Sequence, residues 1–107
     1  MRAGELRHRL VIESPQRVND GAGGAITTWL EVATTWANVQ PVTAREQRSA
    51  DQRTQKTSHR ITVRYREDIN STMRFTGEGR IFDIEAIIND AERDHWLVCF
   101  CVEGITA

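Results

Sequence analysis

Apolar and polar positions alternate along most of this chain. Residues 59 to 66 give the cleanest case: Ile61, Val63 and Tyr65 fall on one side, Arg60, Thr62, Arg64 and Arg66 on the other. That period of two predicts a strand with one buried face. Residues 6 to 14 alternate in the same way, with Leu6, His8, Leu10 and Ile12 against Arg7, Arg9, Val11 and Glu13, and Pro15 is expected to end the strand. Residues 15 to 25 hold Asn19-Asp20-Gly21 and Gly23-Gly24, which predict a long, flexible hairpin loop. A second strand is expected at about 26 to 31, anchored by Trp29. A third is expected at 33 to 42, with Trp36 towards the core.

Residues 43 to 60 break the pattern, because Ala44 and Ala50 are the segment's only apolar residues. Thr43 and Glu46 stand three apart, the spacing of a capping box, which predicts a short helix at 44–52 inside a solvated insert. Such a segment buries almost nothing of its own, so contacts outside the monomer are expected to hold it. Glu67 to Ser71 reads as a turn, residues 72 to 76 as a strand, and Gly77-Glu78-Gly79 as a second turn. Residues 80 to 88 and 95 to 103 close the chain as strands around a polar loop, 89 to 94. The last strand is apolar on both faces and should be central or covered on both sides. The expected fold is all-β: a small antiparallel barrel or sandwich of six to seven strands with one short helix inserted.

The chain has 107 residues, enough for one domain spanning 1–107 with a modest core. Hydrophobic residues make up 39% and charged residues 27%, which argues against disorder. The net charge of −1 gives no global basic field to attract nucleic acid. Lys56 stands alone against thirteen arginines. Arginine suits interfaces through planar, bidentate contacts, although a GC-rich genome gives the same bias. No apolar run reaches the ~20 residues of a membrane span, and the N-terminal residues lack the apolar stretch of a signal peptide. The chain is therefore expected in the cytoplasm, with no membrane partner and with Cys99 and Cys101 reduced.

Candidate chemistry is sparse. The chain has no G-x-S-x-G, P-loop, H-E-x-x-H or G-x-G-x-x-G motif. A dyad of His8 with Cys99 or Cys101 is outweighed by the reading of both thiols as small core residues. One C-x-C pair falls short of a structural zinc site, and Asp83, Glu85, Asp90, Glu92 and Asp94 fit no calcium loop. No catalytic residue, metal, cofactor or small-molecule substrate is expected. The rival reading is an OB-like module for single-stranded nucleic acid. Arg60, Arg64 and Arg66 line one strand face, with Arg74 and Arg80 close in sequence. Against it, aromatics that would stack bases are expected to be missing from that face, Tyr65 points to the opposite side, and Glu67, Asp68, Glu78 and Asp83 offset the charge.

The order of motifs resembles a known family. Gly4-Glu5-Leu6-Arg7-His8-Arg9-Leu10 opens it, followed by Asp20-Gly21-Ala22-Gly23-Gly24, Trp29 and Trp36-Ala37-Asn38-Val39-Gln40-Pro41. Glu46 and Ala50 come next, then Ile61-Thr62-Val63-Arg64-Tyr65 and Gly79-Arg80-Ile81-Phe82-Asp83-Ile84. This set is similar to the head–tail joining proteins of tailed bacteriophages and prophages, the head closure, stopper and adaptor group. Ala44 stands where relatives often have a glycine. The resemblance implies a structural virion protein with no enzymatic activity. It implies a ring at the head–tail connector that closes the filled capsid and docks the tail. The implied partners are other copies of the chain, portal and adaptor proteins, tail components, and packaged DNA near the lumen. On that reading Arg45, Glu46, Arg48, Asp51, Arg53 and Lys56 are candidate intersubunit or lumen contacts. Asn19, Asp20, Gly21, Gly23 and Gly24 form a candidate partner-docking loop.

Overall fold

The computed structural model describes residues 3–42, 57–89, 92 and 94–104. A 3-10 turn, Ala3–Glu5, precedes six strands: β1 (His8–Asn19), β2 (Ala25–Pro41), β3 (Thr57–Arg64), β4 (Arg74–Gly77), β5 (Arg80–Asn89) and β6 (Trp96–Gly104). All neighbours pair antiparallel, and the order β1-β2-β3-β6-β5-β4 closes on itself as a barrel. Closure removes the edge wherever a strand has neighbours on both sides.

The alternation read from the sequence sets the inside. Leu10, Ile12, Ala37, Ile61, Val63, Phe75, Phe82, Ile84, Leu97, Cys99 and Cys101 are buried in one cluster. Phe75 and Phe82 stand directly opposite each other on β4 and β5 and supply the largest buried side chains. The wall across the ring, β2, accordingly turns small residues inward: Ala33, Thr35, Ala37 and Val39 share the face that contains buried Ala37. This corrects the expected orientation of Trp36, which is 55% exposed and lies on the outer face. The register pairs Ala37 with Val63 of β3, both fully buried, and so turns the adjacent Trp36 outward. Asn38, also outward, donates from Nδ2 to the Glu5 carbonyl at 3.1 Å and so straps the N-terminal turn to the wall.

Strand boundaries differ from the sequence reading, by one or two residues in β4, β5 and β6 and at the end of β3, and by more in the following places. Residues 26–31 and 33–42 are one strand, with Val32 as the extra residue of a bulge between the Ile12–Ala33 and Glu13–Glu31 pairs. This merger makes six strands. Pro15 does not end β1, which runs on to Asn19. Beyond Glu13 that strand pairs only with β2 among the described residues, so a missing N–H is tolerated on its other side. The hairpin loop therefore shrinks to residues 20–24. Residues 57–60 belong to β3 rather than to the polar insert. The predicted helix at 44–52 lies outside the described residues.

The β4–β5 connection is a two-residue turn with positive φ at both central positions, Glu78 at 55° and Gly79 at 75°. That is the I′ geometry whose twist matches the flanking strands. Gly77 precedes it because a Cβ there would lie 2.9 Å from the Arg9 carbonyl oxygen and 2.8 Å from Leu10 Cδ2.

Candidate interaction surfaces

The barrel carries different chemistry at its two ends and on one outer wall. At the first end, β1 and β2 leave the barrel together. β1 pairs with β4 only over Val11–Glu13, and β2 pairs with β3 only over Ala37–Pro41. From Ser14 and Leu30 outward the two strands form a ribbon with no third strand beside it among the described residues. This arm is clamped at its base. Glu13 Oε1 accepts a hydrogen bond from Arg74 Nε at 2.8 Å, and the Arg74 guanidinium lies 3.9 Å from the centre of the Trp29 ring. One arginine at the start of β4 thus grips both strands of the arm.

The tip holds its own shape. Asn19 Oδ1 accepts from the Gly21 N–H at 2.9 Å, and Asp20 Oδ1 accepts from Ala22 and Gly24 at 2.8 and 3.1 Å. Gly21 and Gly23 have φ of 82° and 86°, which only glycine adopts freely. The candidate docking residues Asn19, Asp20, Gly21, Gly23 and Gly24 are therefore brought together, as a hydrogen-bonded tip rather than the flexible loop expected. Their exposed polar groups offer donors and acceptors.

The faces of the arm are unequal. The pairs Ser14–Leu30, Gln16–Thr28 and Val18–Ile26 share one face, which carries no charge. Ile26 and Leu30 are each more than half exposed on it. Pro15, Arg17, Trp29 and Glu31 share the other face. Arg17 and Glu31 are exposed and make no ion pair among the described residues.

The opposite end gathers charge. Arg80 donates to both Glu103 oxygens at 3.0 Å, and its Nη2 lies 3.1 Å from Nε2 of buried His59. The Phe82 ring meets His59 edge-on at 5.2 Å. The hydrogen bonds from Arg80 hold the Glu103 carboxyl below its ordinary value, and the carboxylate raises Arg80 in turn. Nearby, His8 Nδ1 lies 3.3 Å from Glu78 Oε2. Residues 43–56 connect to the barrel at this end, where the Val42 N–H donates to the Ser58 carbonyl at 2.9 Å. The candidate contacts Arg45, Glu46, Arg48, Asp51, Arg53 and Lys56 all lie in that segment, outside the described residues. The two segments singled out as outward-reaching thus attach to opposite ends of the barrel.

The outer wall of β3, β6 and β5 is the third surface. Arg60 lies over Phe100 at 5.7 Å, and Arg64 over Trp96 at 5.4 Å. This corrects the expectation that stacking aromatics are missing from this face: neighbouring β6 supplies Phe100 and Trp96 to it. The other arginines of the basic set are engaged elsewhere: Arg66 with Asp68, Arg74 with Glu13, Arg80 with Glu103.

Neither thiol is built for nucleophilic chemistry. Both are buried, and burial pushes Cys99 up to about 12 and Cys101 higher still. They stay protonated at neutral pH and act as small core groups. Among the described residues no three His, Cys, Asp or Glu side chains converge as a metal site. No helix among them is long and apolar enough to cross a membrane.

Sequence reasoning missed the Arg74–Glu13–Trp29 clamp and the His59–Arg80–Glu103 cluster. Their members are brought together by ring closure from distant strands, and no spacing along the chain signals them.

The described residues thus form a closed barrel with a clamped, projecting ribbon, and comparison with known proteins supplies the family. The sequence profile of the phage head completion protein family matches residues 1–104, and the chain belongs to that family. Among solved structures it is similar to protein SF1141 from Shigella flexneri 2a, at 34% identity over all of both chains with a TM-score of 0.76. It is also similar to a chain from the virion of a native gene transfer agent particle, at 29% identity over 95% of this chain and 97% of the other, TM-score 0.69. No curated protein sequence matches it significantly. The chain is thus a phage structural protein.

Proposed function

We propose that copies of this chain form a ring at the head–tail connector of a virion or prophage particle, closing the filled capsid and docking the tail. Family membership and likeness to a virion chain support the setting. The observation that carries the geometry is the arm: a barrel that has closed its own sheet still sends a ribbon past its wall. Such a feature contributes little to the monomer, since an isolated two-stranded ribbon is marginal in water. Its use lies in contact with other chains. The chain acts without enzymatic chemistry, before assembly in the host cytoplasm and afterwards in the virion.

On this reading the arm tip, residues 19–24, meets the tail or an adjoining ring, and residues 43–56 face a neighbouring subunit or the lumen near packaged DNA. The opposed attachment of the two segments suits that division. The test is assembly with altered chains. Shortening the arm tip should yield filled heads that fail to join tails, and shortening 43–56 should yield heads that lose DNA. Full infectivity of both variants would overturn the assignment.

A second reading, single-stranded nucleic-acid binding, draws on Arg60 over Phe100 and Arg64 over Trp96, a pairing that can stack bases and hold phosphates. The carboxylate engagement of Arg66, Arg74 and Arg80 weighs against it. An oligonucleotide titration at two salt concentrations decides between them. Salt-sensitive binding by the purified chain, lost in Arg64→Ala, would favour this second reading.

A further inference from the structure

We infer that the arms of adjacent copies join edge to edge into one continuous antiparallel crown, the β2 edge of each arm pairing with the β1 edge of the next. The inference rests on the ring reading above and names the contact that closes the ring.

The arm has two open edges. Among the described residues, 14–19 of β1 pair only with 25–30 of β2, and 25–36 of β2 pair only with β1. Along both edges every second residue turns its backbone N–H and C=O away from the ribbon. An edge of this kind is complementary to one thing, another extended backbone. The sense of pairing then follows from symmetry. In a ring made by rotation every arm points the same way, so β1 runs up and β2 runs down in each copy. The β2 of one copy therefore meets the β1 of the next antiparallel, and no strand need be reversed.

The side chains fit that arrangement. Val18, Ile26 and Leu30 share one uncharged face of the ribbon. In a crown these faces merge into one uncharged band, in which the large apolar side chains left exposed on a single copy gain neighbours. The charges lie on the opposite face, where Arg17 and Glu31 are exposed and form no ion pair among the described residues. Glu31 also stands directly opposite Glu13 in its own ribbon, a like-charge pair in which only Glu13 holds an arginine.

Barrel geometry supplies a partner for Glu31. Strands tilted by ~36° and spaced ~4.8 Å shift adjacent two-stranded copies by ~7 Å along the strand, about two residues. That stagger keeps each side chain on its own face. It sets Arg17 of the incoming β1 diagonal to Glu31, a separation of about 7–8 Å that a long side chain bridges.

The test uses charge reversal together with hydrogen exchange on assembled heads. Glu31→Arg alone and Arg17→Glu alone should each cut the yield of closed heads by roughly tenfold or more, because the fault recurs at every contact around the ring. The double variant should restore most of that yield, which a purely local role for either residue does not predict. In unaltered particles the outward amides of residues 25–36 should exchange freely in the lone chain and become protected in closed, tailless heads. Protection that appears only after tail joining would assign the edge to a tail protein and overturn the proposal. So would protection in the lone chain, which would mean that its own residues 43–56 cover the edge. A ring visible by electron microscopy without protection would overturn the crown and leave the ring standing. Closed heads without any ring of this chain would overturn both.

Discussion

Residues 9–13 and residues 14–19 belong to one strand and differ in almost everything around them. The first stretch has β2 on one side, β4 on the other from Val11, and a packed interior beneath Leu10 and Ile12. The second has β2 alone, and its apolar face is open. Both are equally regular as strands. The barrel half is held by burial, which at about 25 cal/mol per Å² of apolar surface dominates a domain of this size. The arm half is held by ladder hydrogen bonds, the tip turns and one arginine clamp. Regular backbone therefore does not locate stability in this protein; the number of layers around it does.

That contrast can be broken first from the barrel side. Phe75→Ala removes a fully buried ring and should destabilise the chain by about 3–5 kcal/mol in chemical denaturation, enough to unfold a marginal domain. A cost under about 1 kcal/mol would mean that the interior is less tightly packed than burial indicates. Gly77→Ala comes next. Its Cβ would press on the Arg9 carbonyl, which is backbone and cannot swing away, so about 1–3 kcal/mol is expected with no gain in helix or strand content.

Arg74→Ala sharpens the comparison because it sits on the seam. It should cost about 1–2 kcal/mol globally through the lost Glu13 bond and Trp29 contact. It should also raise backbone mobility over residues 14–30 while β3, β5 and β6 stay rigid in relaxation measurements. Loosening spread evenly over the barrel would refute the clamp.

The charged end gives a pH signature. Arg80 holds the folded Glu103 carboxyl below its ordinary value, so its contribution is complete at neutral pH. It is lost as pH falls through the ordinary glutamate range towards the folded value. The stability gap between the unaltered chain and Glu103→Gln should thus be widest near neutrality and close in acid. A gap that widens on acidification would reverse the assigned sign. The smallest effects belong to the arm. Asp20→Ala should cost the lone chain about 0.5–1 kcal/mol, and Ile26→Ser within about 0.5 kcal/mol, both read by thermal denaturation. A large loss from Ile26→Ser would show that the lone chain already buries the arm.

The alternation around Ile61 and Val63 predicted the inward face of β3 because a strand with one wet side cannot hide its period. The Gly77-Glu78-Gly79 turn and the strands on either side were legible for the same local reason. So was the family resemblance, which the profile match confirmed over residues 1–104. Pro15 and Trp36 misled because the answer lay in their surroundings. A proline is acceptable where the neighbouring strand has ended, and the barrel register puts Ala37 rather than Trp36 inside. The candidate docking residues were chosen for glycine and turn chemistry, yet that chemistry alone does not say that their hairpin stands clear of the barrel. The sequence alone determined the period of two, the turns and the absence of catalytic motifs, since each is a matter of neighbours along the chain. Only the tertiary structure decided which strands close the ring, where the arm leaves it, and that Arg74 and Glu13 meet across 61 positions. Those contacts depend on how the sheet curls, and no residue records that by itself.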